Sequence, residues 1–221
     1  MPDQWRGDRL SAVGHPVVKT PTLDRLANGG ALFRRAYSTC PSTPVHKRSR
    51  RLRAFPIKHP TFPALLAEAG YATVLVGRNM HQNAPNKSIG YQRELLGSTD
   101  LSDDDYDRAL RAAAPESRDI RAVIESLGVT TNFCQAKPWA LPEELHPTVW
   151  VAARARSVIT ETAPARPLFL TASFYAPHPP LFPPQAYFEK YLAATLPTPA
   201  RGAWVKWDAL SPDGDRNGHR I

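Results

Sequence analysis

A helix that runs directly into a short apolar stretch is the feature that most narrows what this chain can fold into. Residues 62–69 are rich in leucine and alanine, follow Thr61 as a capping residue and stop at Gly70. Tyr71, Ala72, Thr73, Val74, Leu75 and Val76 come next, apolar, partly β-branched and closed by Gly77. A run of this length without polar alternation suits a strand buried on both faces. Residues 168–174 make a second such run, and residues 147–161 ahead of it read as a helix. Alternating helix and buried strand predicts an α/β fold with a mainly parallel sheet flanked by helices. Ligands of such sheets sit beyond the carboxyl ends of the strands. His81 follows the first run and His178 the second, so both become candidate site residues.

The rest of the chain supplies covering elements. Thr20 as N-cap, Pro21 at the first helical position and Gly29 near the end predict a short helix over residues 21–29. Residues 100–127 are charged and alanine-rich, with loosely spaced apolar positions, and predict surface helices. A chain of 221 residues, 42% hydrophobic and 22% charged, can bury a core and predicts a single domain or part of one. Cys40 and Cys134 match neither a disulfide framework nor a metal-binding spacing. The sequence shows no apolar run long enough for a membrane span and no signal peptide, which predicts a cytoplasmic chain with no membrane partner.

The net charge of +8 raises the possibility of a polyanion partner. Its distribution argues against a general one. Lys47, Arg48, Arg50, Arg51 and Arg53 crowd into residues 46–53, so one segment makes most of the basicity. The segment lacks aromatic interleaving and any nucleic-acid fold signature, and nucleic acid is not the expected partner.

Asp3 and Gln4 set a carboxylate beside a carboxamide, two oxygen donors suited to a hard cation, although a solvated loop has the same look. Imidazole titrates near neutrality, so His81 and His178 can hold an anion or donate a proton. Pro177 and Pro179 restrict the backbone around His178. Arg78 can clamp an anionic oxygen.

The order of these pieces carries a resemblance. Asp3-Gln4-Trp5-Arg6-Gly7-Asp8, then Thr20-Pro21-Thr22-Leu23-Asp24-Arg25-Leu26-Ala27, then Gly77-Arg78-Asn79-Met80-His81, similar to a G-K-x-H stretch, and finally Pro177-His178-Pro179-Pro180 resemble the sulfatase family. The resemblance implies an alkaline phosphatase-like fold and hydrolysis of a small-molecule sulfate ester to alcohol and sulfate, assisted by calcium. It assigns Asp3 and Gln4 to the metal, and Arg78, His81 and His178 to the sulfate or the leaving group. A phosphodiester or phosphonate hydrolase of the same superfamily is the alternative, and a polyanion binder using residues 46–53 is a further one.

The family's nucleophile is a formylglycine made in a C/S-x-P-S/A-R motif, and here the sequence departs from the pattern. Aligned without gaps, Thr43 takes the nucleophile position and Lys47 the arginine position, where Lys47 would contact substrate. With a one-residue gap, Ser42-Thr43-Pro44 supplies serine and proline, but His46 replaces arginine. Neither is a proper conversion site, and residues 42–60 read as a stretch disturbed by a local frame change. Only Met1 and Pro2 precede Asp3, where the family has an apolar strand, and residues 191–221 offer no D-H/N-G metal motif. The expected fold is therefore incomplete at both ends, and activity is expected to be impaired.

Overall fold

The computed structural model describes residues 1–37, 59–79, 89–97, 103–129, 135–162, 166–198 and 202–203. Its centre is the first apolar run. Strand β1, Ala72–Gly77, is buried along nearly its whole length, with Val76 fully enclosed. It is flanked by β2, Arg93–Leu96, on one side and by β3, Leu168–Ser173, on the other, both parallel to it. The register with β3 pairs Ala72 with Leu168 at one end and Gly77 with Ser173 at the other. The two carboxyl ends are thereby brought level.

Two expectations about strands need correction. β3 was read as buried on both faces, but it is half-buried except at Ser173, because it has β1 on one side only and a short bridge from Pro2 to Phe174 on the other. β2 was not anticipated. It begins Arg93-Glu94, and an outer strand of four residues needs no continuous apolar run.

Helices cover both faces of this sheet. α1, Pro21–Gly29, lies near the amino terminus, and α2, Phe62–Glu68, precedes β1 as expected. Thr61 caps α2 by accepting from the Ala64 N–H at 3.4 Å. Thr20 sits at the N-cap of α1 without capping it through its side chain. Its hydroxyl instead donates to Asp24 at 3.0 Å and meets the Ser11 hydroxyl at 2.8 Å. On the α2 face, Phe169 takes Phe62 edge-on at 5.3 Å and stacks on Tyr91 at 6.2 Å.

The other face carries the main core. Val74 and Val76, with Leu168, Leu170 and Ala172, pack against α3, Asp105–Ala113, α4, Ile120–Ser126, and α5, Pro147–Glu161. The last helix, α6, Gln185–Leu192, follows β3. α5 runs over the expected residues and buries Trp150, Val151, Ala155 and Val158. Full burial of a side chain such as Val151 or Val158 contributes about 1.5–3 kcal/mol. The surface-helix reading of residues 100–127 is corrected here: Tyr106, Leu110, Ile120, Val123 and Ile124 all belong to the core. Their spacing does follow one face of each helix, but the short helices are separated by a turn that breaks the period.

Candidate functional site

The level carboxyl ends of β1 and β3 are held together by the backbone. Gly77 ends β1 at φ +97°, and a Cβ there would lie 2.0 Å from the Ser173 carbonyl oxygen. Only glycine fits that combination of conformation and approach. The next residue, Arg78, donates its backbone N–H to the same Ser173 oxygen at 3.0 Å. The amino terminus closes the other flank: Phe174 donates to the Met1 carbonyl at 2.9 Å, and Asp3 donates to the Phe174 carbonyl at 3.0 Å. Asp3 and Arg78 are therefore delivered to one place by successive carbonyls of a single strand end.

Their side chains meet there. Arg78, 4% exposed, makes an ion pair through Nη1 with Oδ2 of Asp3, 9% exposed. The guanidinium carbon also lies 4.6 Å from the centroid of the Tyr175 ring, a cation–π contact. The Tyr175 ring stands 5.0 Å from that of His178. The Tyr175 hydroxyl and His178 Nδ1 both reach the Pro179 carbonyl oxygen at 2.6 Å. A carbonyl can only accept, so Nδ1 carries the proton, and Nε2 is left to hold or release a proton elsewhere. The Oδ1 atom of Asn79 is buried with no hydrogen-bond partner among the described residues.

A carboxylate, a guanidinium, a phenol and an oriented imidazole thus form a chain of successive contacts beyond the ends of a parallel sheet, where the ligands of α/β proteins sit. The sulfatase family model matches residues 1–203. The chain belongs to the sulfatase family. It is similar to an arylsulfatase of Clostridium perfringens (strain 13 / Type A), 30% identical over 93% of this chain and 48% of that relative. A multifunctional alkaline phosphatase superfamily protein, PehA, of Trinickia caryophylli is 26% identical over 99% of this chain and 47% of its own length. The crystal structure of a phosphonate monoester hydrolase of Agrobacterium radiobacter superposes with a TM-score of 0.65 at 26% identity, covering 91% of this chain and 45% of that one. The fold is accordingly alkaline phosphatase-like, and this sulfatase chain spans about half the length of the curated relatives it matches.

Of the residues singled out in the sequence, the fold brings Asp3, Arg78 and His178 together through Tyr175. Gln4 is exposed, at φ +58°, while its neighbour Asp3 is buried, so the two side chains do not share one environment. Ser42, Thr43, Lys47 and His81 lie outside the described residues, as does the basic segment 46–53. Sequence reasoning missed Tyr175 and Asn79, although each directly adjoins a residue or strand end already marked.

Calcium takes about six to eight oxygen ligands. Among the described residues no group of three or more His, Cys, Asp or Glu side chains is placed to hold a metal ion. The Oδ2 of Asp3 already faces a guanidinium. The described donor set does not fit calcium. Also among the described residues, no helix is long and apolar enough to cross a membrane.

Proposed function

We propose that the sheet end bearing Asp3, Arg78, Tyr175 and His178 is the anion-handling part of a sulfuric ester hydrolase, built to act on small-molecule sulfate esters. The unbroken succession of contacts from Asp3 through Arg78 and Tyr175 to His178 at the carboxyl ends of β1 and β3 supports the reading. Family membership supports the reaction class. In this reading His178 is the group that protonates the departing alcohol. Its Nδ1–H, given to Pro179, fixes the ring orientation, and the doubly protonated ring gives its Nε2 proton to the oxygen of the departing alcohol, which leaves the neutral Nδ1–H tautomer. Tyr175 positions the imidazole and supports Arg78 from its ring face.

The nucleophile is assigned to the Ser42/Thr43 position, with Lys47 beside the substrate and His81 completing the imidazole pair. An unmodified hydroxyl at Ser42 or Thr43 is a weak nucleophile unless a base or metal activates it. It also cannot expel sulfate by collapse to an aldehyde. The chain as it stands is therefore proposed to be an impaired hydrolase.

A second reading, hydrolysis of phosphonate or phosphodiester bonds, is favoured by the structural similarity to a phosphonate monoester hydrolase. A substrate panel separates the two. A version with residues 42–53 replaced by a proper C-x-P-S-R motif, produced with the formylglycine-forming machinery, is assayed on an aryl sulfate, an aryl phosphonate monoester and an aryl phosphodiester. Preference for the sulfate, lost in His178→Ala, is the expected result. Preference for either phosphorus ester would shift the assignment to the second reading, and turnover of none of them would sink both.

A further inference from the structure

We infer that Arg78 is the resident cation of the Asp3 carboxylate: the guanidinium stands where the family resemblance puts a metal ion, and this chain keeps no divalent cation at Asp3. Both side chains are at least nine-tenths buried and in direct contact. A guanidinium does not lose its proton in a protein, so the positive charge beside Asp3 is permanent. The pairing is also fixed from behind. The backbone of Arg78 is tied to Ser173 and that of Asp3 to Phe174, adjacent residues of one strand end, so contact follows from register rather than from a long side chain happening to reach. The Tyr175 ring holds the guanidinium from a further side at 4.6 Å.

A divalent cation seated on Asp3 would have to share a water-poor site with this charge, where like charges repel far more than in water. It would find there, among the described residues, no group of three or more acidic, histidine or cysteine ligands, and a carboxylate already paired. A buried pair of this kind tolerates removal of both charges better than removal of one, because a single survivor is left uncompensated. That asymmetry supplies a signature independent of catalysis. The inference concerns the same sheet end as the proposed function but rests on the ion pair alone.

Calorimetric melting of the full chain in millimolar calcium chloride and in EDTA tests it. The wild type is expected to melt at the same temperature in both. Arg78→Gln should lower Tm by several degrees, and Asp3→Asn/Arg78→Gln should recover part of that loss. A saturable calcium-dependent rise in the wild type that Asp3→Asn abolishes would overturn the inference. So would an Arg78→Gln variant as stable as the wild type. Should Arg78→Gln show no cooperative transition, Arg78→Lys takes its place: it loses the planar guanidinium fork and should melt below the wild type in both solutions, and a variant as stable as the wild type would overturn the inference. No readout here depends on turnover. A repaired chain without hydrolytic activity would sink the proposed function and leave the ion pair standing, while calcium binding at Asp3 would do the reverse.

Discussion

The imidazole of His146 is enclosed by Trp139 at 5.3 Å and Phe182 at 5.6 Å, and it caps α5 by accepting from the Thr148 N–H at Nδ1, 3.1 Å away. An accepting Nδ1 requires the neutral ring, with Nε2–H given to the Phe182 carbonyl at 3.2 Å. Burial, partly opposed by that carbonyl, pushes the His146 pKa below its ordinary value of 6.5. The folded state therefore binds this proton less readily than the unfolded chain, and stability is lost as pH falls from about 6.5 towards the lowered value. Asp8 and Asp24 are held below 3.8, chiefly by hydrogen bonds from Arg6 and Ser11 respectively, so their acid-labile window lies lower. Urea midpoints between pH 7.5 and 5 should fall for the wild type and flatten for His146→Asn, which keeps a capping side chain. An unchanged slope would remove His146 from the account. His178 stands out in the sequence by following an apolar run between two prolines, whereas His146 has proline on one side only, and nothing in the sequence marks it as sealed in an aromatic box at the start of α5.

The same difference between what a pattern implies and what packing decides is visible in α3 and α4. Their charged composition read as surface, yet Asp107 is completely buried between them. Its two carboxylate oxygens accept from the Ile120 N–H at 3.0 Å and the Asp103 N–H at 3.1 Å. A carboxylate at the start of α4 also suits the positive end of that helix. Asp107→Ala would leave the buried Ile120 N–H without its acceptor and release the exposed Asp103 N–H to water, at a cost of about 1–3 kcal/mol. Asp107→Asn, which keeps one acceptor, should lose less. Urea denaturation of both variants with an unchanged m-value checks this, and a loss below about 0.5 kcal/mol for Asp107→Ala would show that the bridge does not link the two helices. Where an element's own residues carry its signal, as the continuous apolar run of β1 and the capped ends of α2 and α5 do, the sequence is a sufficient guide even when the partner strand is as distant as β3 is from β1. β2 and the buried sides of α3 and α4 are hidden in the sequence because an outer strand and two short amphipathic helices acquire their apolar environment from distant residues such as Trp139, Trp150, Val151 and Phe182.

At the scale of the whole molecule, strand register sets Asp3 and Arg78 side by side at the ends of β1 and β3, and the proposed function builds its anion-handling part on that placement. Turnover needs two further things that come from elsewhere: a nucleophile able to release sulfate, and positive charge available to the transition state. The sequence departs from the family at the first, because residues 42–53 contain no C/S-x-P-S/A-R motif. As for the second, Arg78 shares its charge with Asp3, so under the proposed function it is not offered wholly to substrate. Removing a catalytic nucleophile from a hydrolase typically leaves only the small rate contributed by binding and electrostatics. The chain as it stands should therefore hydrolyse an aryl sulfate at least about 10³-fold more slowly than its motif-repaired counterpart, with or without calcium. Steady-state release of the phenol, measured on both proteins side by side, gives the ratio. Comparable rates, with the unrepaired activity abolished by Asp3→Ala, would mean that this chain has found a nucleophile outside the family motif, and the assignment of Ser42 or Thr43 would fall with the prediction.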